Sequence, residues 1–292
     1  MASTGPVAAR GDSEAENDPA TLLRRWRDDL ASWAIPEEIL ASVSESPWAL
    51  PTQVFARRAD QVSAAPGGAS YQREWAALDP PGSVLDVGSG AGAACLPLLA
   101  RTTSLTAVDA EDRMLALLAE RAAARGVRAR RIQGRWPEVA AEVPAADIVT
   151  CHHVLYNVAD LEPFIAALTD HARRVVVVEV SATHPMSGLN DLWLRFHGLR
   201  RPARPAGTDL LAILRALGLD PEYRSWQQTS GPEYPSLDEL ADVTRRRLCL
   251  PPDRAGEVRQ ALIEAGVDPE HPGDLGSSGR DVLTIWWPGG AQ

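Results

Sequence analysis

A glycine-rich run, Gly88-Ser89-Gly90-Ala91-Gly92, follows the largely apolar stretch Val84-Leu85-Asp86-Val87 and precedes a segment, 92–100, that reads as a helix. Glycine lets the chain turn sharply and lets a ligand approach the backbone, while a helix start offers unpaired N–H groups. Asp109 ends the next apolar run, about 20 residues after Gly88. A carboxylate at that distance accepts both hydroxyls of a ribose lying over the first strand–helix turn. The two features together point to a nucleoside-containing cofactor.

A second group of candidates follows further on. His152-His153 and Tyr156-Asn157 stand where a fourth strand would end. In an open α/β sheet that edge carries the ligands. His153 and Tyr156 are candidate general bases for a hydroxyl or amine nucleophile, since imidazole titrates near neutrality. Glu179 near the end of the fifth strand is either catalytic or a partner for nearby backbone groups. His184, Trp193 and His197, with Asn190 and Phe196, fall in the next connection. They line an acceptor pocket, or they form the apolar face of a helix.

These residues need elements to hold them. After the turn cluster Asp79-Pro80-Pro81-Gly82, strand-like and helix-like segments alternate. Strands are expected at 83–87, 105–109, 128–133, 148–152 and 175–180, with helices at 92–100, 111–125 and 161–172. The alternation implies an α/β fold, a doubly wound, mostly parallel sheet with helices on both faces. The unbroken run Val175-Val176-Val177-Val178 suits a strand covered on both sides. Further on, a helix at 208–217, a strand at 222–229, helices at 236–248 and 254–265, and a closing strand at 281–287 bring the sheet to seven strands. Arg128, Arg130 and Arg131 alternate with Ala129, as on the exposed side of an edge strand.

Before the sheet, residues 1–19 are small, polar and acidic, the composition of a disordered tail. Residues 20–79 form a helical cap: Leu22, Leu23, Trp26, Leu30 and Trp33 recur at spacings of three and four. Four of the nine tryptophans, Trp26, Trp33, Trp48 and Trp75, lie in this segment, so it either packs on the sheet or closes over an apolar acceptor.

The segment LDVGSGAG, with Asp86 two residues before Gly88, and the segment TAVDAE, with Asp109, resemble the class I S-adenosylmethionine (SAM)-dependent methyltransferases. ADIVTCHHVL, residues 146–155, resembles the family's fourth-strand motif. A nicotinamide-binding loop usually carries an apolar residue where Asp86 stands. The resemblance implies that Gly88, Ser89, Gly90 and Gly92 form the loop under the methionine part of SAM, with Asp86 beneath it. It implies ribose binding by Asp109, adenine contact by Ala110, and a carbonyl from His152 for the ammonium. Gly134-Arg135-Trp136 stands where the family often has an acid near the adenine N6; here Trp136 offers stacking instead. Tyr71 sits where the family places a helix over the SAM carboxylate. A helical insertion at about 236–273, before an antiparallel last strand, replaces the family's usual tight hairpin and suggests a second wall for the acceptor site. Cap and insertion together favour a small-molecule acceptor; RNA as acceptor, or SAM binding without catalysis, are the alternatives.

Composition narrows the remaining classes. The net charge is −10, and all 29 cationic residues are arginine. Without lysine there is no Schiff-base chemistry and no phosphate-binding P-loop. An acidic chain is not a general nucleic-acid binder, since phosphate neutralisation needs a cationic face. Cys95, Cys151 and Cys249 are far apart and form no metal-ligand pattern, which fits a reducing cytoplasm and no metal site. No apolar run reaches the roughly 18–20 residues that span a membrane.

Overall fold

The computed structural model describes residues 18–48, 51–228, 234–273 and 281–291. The expected tail at 1–19 lies, but for its last two residues, outside the described residues. Asp18 caps the first helix, its carboxylate accepting the Thr21 N–H, and Pro19 opens that helix.

Seven strands form one sheet in the order β3-β2-β1-β4-β5-β7-β6. They are β1 (Gly82–Val87), β2 (Thr102–Asp109), β3 (Ala129–Gln133), β4 (Ala146–His152), β5 (Ala172–Ser181), β6 (Glu222–Gln227) and β7 (Asp281–Pro288). The first five pair in parallel, and β7 runs antiparallel to both β5 and β6. β1 leads outward to β2 on one side and sits beside β4 on the other, so the strand order reverses between them. Helices that connect strands on the two sides of that point lie on opposite faces and leave a crevice at the strands' C-terminal ends.

Strand alternation sends successive side chains to opposite faces. Leu85, Val87, Val149, Cys151, Val176 and Val178 pack on one face with α6 (Leu161–His171) and α8 (Gly207–Ala216). Val84, Leu105, Ala107, Ile148, Val175 and Val177 pack on the other with α5 (Asp112–Ala123).

The segment expected as one cap is distributed over the molecule. α1 (Pro19–Ala31) joins the first face through Leu22 and Trp26, whose indole N–H donates to the Val158 carbonyl at 2.9 Å. Two helices, α3 (Thr52–Ala64) and α4 (Gly68–Ala77), lie toward the second face, where Ala59 and Leu78 are buried. Ile35, before the short α2 (Glu37–Leu40), and Val54 join a third cluster with α7 (Asn190–His197), α9 (Leu237–Arg247) and α10 (Ala255–Glu264). Arg201 ties this cluster to the first helix's exit: it lies over the Trp33 and Trp193 rings and donates to the Trp33 and Ala34 carbonyls.

One expected helix is not α-helical. After the glycine loop the chain makes turns and then a 3-10 helix, Leu96–Arg101. Gly90 and Gly92 take left-handed φ of 50° and 95°, and in a helix begun at residue 92 Pro97 would be an interior residue without the N–H to bond one turn back.

Trp26 is 1% exposed and bridges α1 to the loop after β4. Trp26→Ala is expected to destabilise the protein by about 3–5 kcal/mol, the cost of a large core truncation. Urea unfolding followed by far-ultraviolet circular dichroism measures it.

Candidate active site

A cavity of about 1120 Å³ occupies the crevice. Its floor is the ends of β1, β2, β4 and β5, and its wall is built by α3, α4 and the last residues of β6.

The glycine loop is shaped by short backbone bonds. The N–H groups of Gly88 and Ser89 both donate to the Val108 carbonyl, at 2.8 and 3.1 Å. Gly88 has φ 70°, and a Cβ there would come within 2.3 Å of Val154. No other residue fits, since both backbone and neighbour forbid a side chain. Gly90 also takes positive φ, but a Cβ there meets nothing within 4 Å and would project into open space. Asp109 caps the loop: its carboxylate accepts the Gly90 N–H at 2.8 Å and the Glu111 N–H at 2.9 Å. Each oxygen keeps a lone pair for a ligand.

Asp86, Gly88, Ser89, Gly90, Asp109, Ala110, Gly134, Arg135, Trp136 and His152 all line this cavity. Gly92 does not. A Cβ on it would strike Leu96 and Leu118, so this glycine serves close packing beneath the loop. The Oδ2 of Asp86 and the Oγ of Ser89 are buried without a hydrogen-bond partner. Burial raises the Asp86 pKa to about 7, against the help of Cys95 and His152. A buried carboxylate edge and hydroxyl without partners, beside a loop that leaves Gly90 uncovered, suit a ligand with a cationic, hydrogen-bonding end.

Two histidine–carboxylate contacts stand side by side at the end of β4. Nε2 of His152 lies 2.8 Å from Oε1 of Glu74, on α4. Nε2 of His153 lies 2.9 Å from Oε1 of Glu179, on β5. Burial opposes the His152 charge, but Glu74 and Glu179 outweigh it and lift its pKa to about 9. Burial, with Arg58 and the charged His152 nearby, pulls His153 below the ordinary imidazole value, although Glu179 acts the other way. Glu179 falls to about 2: its burial is overcome by His152, His153 and the Ser70 hydroxyl. His153 is therefore a neutral imidazole beside an ionised carboxylate at neutral pH.

Of the residues expected at the acceptor, Tyr71 and His153 line the cavity. Tyr156, His184, Trp193 and His197 do not. Tyr156 is buried and donates to the Ser181 carbonyl at 2.9 Å, so its hydroxyl is turned into the core. His184 stacks on Trp33 with ring centroids 3.9 Å apart, and its Nδ1 accepts the Met186 N–H. Trp193 is 2% exposed in the helical cluster, and the His197 ring is bonded to the Leu248 carbonyl. For Trp193 the apolar helix spacing agrees with its place in that cluster. The helical insertion is present as α9 and α10, but among the described residues none from 234–273 reaches the cavity. It packs on α7 and is tied to α3 by the Arg57–Glu239 ion pair.

Sequence reasoning passed over Glu74, Ser70, Thr284 and Trp226. Ser70 and Glu74 are both buried on one helix at i and i+4, a spacing that puts them on one face and marks it as polar. Thr284 is the polar exception within an apolar strand.

Residues 84–177 match the family model described as Methyltransferase domain. That match covers about a third of the chain and takes in the glycine loop, Asp109 and the His152-His153 pair. Among solved structures the chain resembles the YcgJ protein from Bacillus subtilis, with 19% identity, a TM-score of 0.50, and 76% of this chain covered against 99% of that one. That likeness is one of fold. A putative methyltransferase from Bacillus halodurans (14% identity, TM-score 0.47) covers 76% of this chain and 99% of its own. A magnesium protoporphyrin IX methyltransferase from Synechocystis, with bound SAH, has 14% identity and a TM-score of 0.47, covering 82% and 84%. No curated protein matches the chain in sequence. No helix among the described residues is long and apolar enough to cross a membrane.

The His152 pKa gives a testable pH dependence. A folded pKa above 6.5 means that stability from this pair is full below pH 6.5 and is lost as pH rises through about 9. Glu74→Gln is expected to flatten the fall in unfolding free energy between those values. Urea titrations of both proteins from pH 6 to 10 measure it.

Proposed function

We propose that this methyltransferase transfers the methyl group of SAM to a small molecule enclosed in the cavity. The observation that supports the reading most directly is continuity: one cavity runs from the glycine loop and Asp109 to the aromatic side chains of Trp48, Phe55, Tyr71 and Trp226. At about 1120 Å³ it exceeds the roughly 300–1,000 Å³ of single-ligand pockets and has room for donor and acceptor side by side.

Bound SAM supplies a methyl group activated on a sulfonium, a leaving group that needs no acid. The protein's part is alignment and exclusion of water. Asp109 holds the ribose hydroxyls with its free lone pairs, and Ala110 and Trp136 flank the adenine. The main chain of Gly88 to Gly90 and the unpartnered Oδ2 of Asp86 hold the amino-acid end, with the His152 carbonyl opposite. α3 and α4 close the acceptor side.

An RNA acceptor draws no support from the basic runs. Arg195 pairs with Glu264, Arg204 with Asp29 and Asp209, and Arg245 and Arg246 with Glu45. Their charge is spent within the fold and leaves little to neutralise phosphates.

Calorimetry is expected to show binding of S-adenosylhomocysteine and none of NAD. Asp109→Ala should weaken that binding by about 1.5–3 kcal/mol, the loss of charge-assisted hydrogen bonds. Gly90→Val, which puts a branched side chain into the open loop, should abolish it in a folded protein. Unchanged affinity in both variants would remove the loop and Asp109 from the cofactor site.

A further inference from the structure

The hydrogen bond of His153 with Glu179 is one end of a longer line. Oε2 of Glu179 accepts the Ser70 hydroxyl, and Ser70 Oγ lies 2.7 Å from Thr284 Oγ1. Thr284 Oγ1 in turn lies 2.9 Å from the Trp226 indole nitrogen. The direction of every bond follows from the two ends. An indole N–H only donates, and an ionised carboxylate only accepts. Trp226 therefore donates to Thr284, Thr284 to Ser70, and Ser70 to Glu179. The second carboxylate oxygen then takes a proton-bearing nitrogen, so Nε2 of His153 carries the hydrogen. The lone pair of neutral His153 is left on Nδ1. The backbone supports this orientation: His153 is one of two non-glycine residues among those described with positive φ (57°), and its N–H donates to the Glu179 carbonyl at 2.8 Å. A side chain held against its backbone preference at a ligand cavity is a mark of function.

We infer that His153, oriented by Glu179 through the Ser70–Thr284–Trp226 line, is the general base for an aromatic acceptor bearing a weakly acidic hydroxyl. The inference rests on the methyl-transfer reading of the same cavity. The aromatic part follows from Trp48, Phe55, Tyr71 and Trp226 on the acceptor side, against which a flat ring buries its faces. The hydroxyl follows from the base: an amine with a free lone pair needs no proton acceptor before attack, whereas a hydroxyl oxygen gains nucleophilicity by losing its proton. As the O–H bond breaks, the proton passes to Nδ1 and the oxygen keeps the electron pair. That pair forms the O–CH₃ bond, while the S–CH₃ bond pair stays on sulfur and cancels the sulfonium charge. The imidazolium then returns its proton to water.

The charged and titratable groups facing His153 are Glu179 on β5, Arg58 on α3 and His152 on β4. Glu179 stabilises the imidazolium that proton transfer creates, and Arg58 and His152 keep the resting imidazole neutral. Glu179, Ser70 and Thr284 are positioning residues, since they act through the ring.

Long-range proton–nitrogen NMR of the histidine-labelled full chain, without cofactor, reads tautomer and titration directly, with His153→Asn assigning the signal. Asparagine tolerates the left-handed backbone, so that variant keeps the loop. The expected result is an Nε2–H tautomer with a midpoint below the ordinary imidazole value, and a mixed tautomer in Glu179→Gln and Thr284→Val. A dominant Nδ1–H tautomer in the native chain overturns the inference. The second arm uses 4-nitrophenol with S-adenosylhomocysteine. Bound nitrophenol should ionise at least about tenfold more readily than free, a shift of one pKa unit. His153→Asn should remove the effect, and Glu179→Gln should reduce it. Nitrophenol that fails to bind, or whose ionisation ignores His153, overturns the inference while S-adenosylhomocysteine binding upholds the cofactor site. Failure of the native chain to bind S-adenosylhomocysteine overturns the methyl-transfer reading itself.

Discussion

Two buried carboxylates, Glu74 and Glu179, set the form of the cavity. Each is all but removed from water, and an unpaired charge in that position would cost several kcal/mol. Consecutive histidines at the end of β4 answer them: His152 supplies the charge that both carboxylates feel, and neutral His153 hydrogen-bonds Glu179. Glu74 thereby fixes α4 to the sheet edge, and Glu179 fixes the loop that turns away from β4. Because β4 and β5 pair in register, with His152 opposite Glu179, the four groups share one small volume. Moving any one of them leaves a buried charge or hydrogen-bonding group without its partner. The helix over the crevice, the strand ends beneath it and the left-handed turn at His153 are thus a single electrostatic unit.

The rest of the fold serves that unit. Parallel pairing of β1 with β2 and β4 carries Asp86, Asp109 and His152 to one edge. The central strands are buried on both faces, so a slip of one residue would exchange the two sets of side chains and misfit each face to the helices packed on it. Trp226 and Thr284 reach the site only because β6 and β7 are antiparallel neighbours on the far side of β5. The third helical cluster, from the insertion and α7, touches none of the cavity. It holds the N-terminal helices in place through Arg57–Glu239 and the Arg201 stack, and so acts on the wall from behind.

Much of this was legible in the sequence. Apolar alternation, glycine spacing and the acid at Asp109 are local patterns, and they placed the strands, the loop and Asp109 beside it without tertiary information. The seven strands fall where periodicity puts them, with ends moved by at most a few residues. The 3-10 segment at Leu96–Arg101 escaped because its apolar spacing mimics a helix, while the backbone geometry of Gly92 and the missing N–H of Pro97 decide its form.

Which polar residues meet was decided only in three dimensions. Tyr156, His184 and His197 have the chemistry of active-site residues, yet their polar atoms are satisfied by Ser181, Met186 and Leu248 inside the fold. Nothing in their spacing distinguishes a satisfied core group from one that faces a cavity. Ser70, Glu74, Glu179 and Thr284 come from a helix and two strands far apart in the chain, and their partnership depends on sheet order and helix placement. Residue types and periods determined the strands and the glycine loop, because those are short-range properties of the backbone. The acceptor wall and the hydrogen-bonded line behind His153 came from tertiary structure, because buried polar groups choose partners by distance in space rather than along the chain.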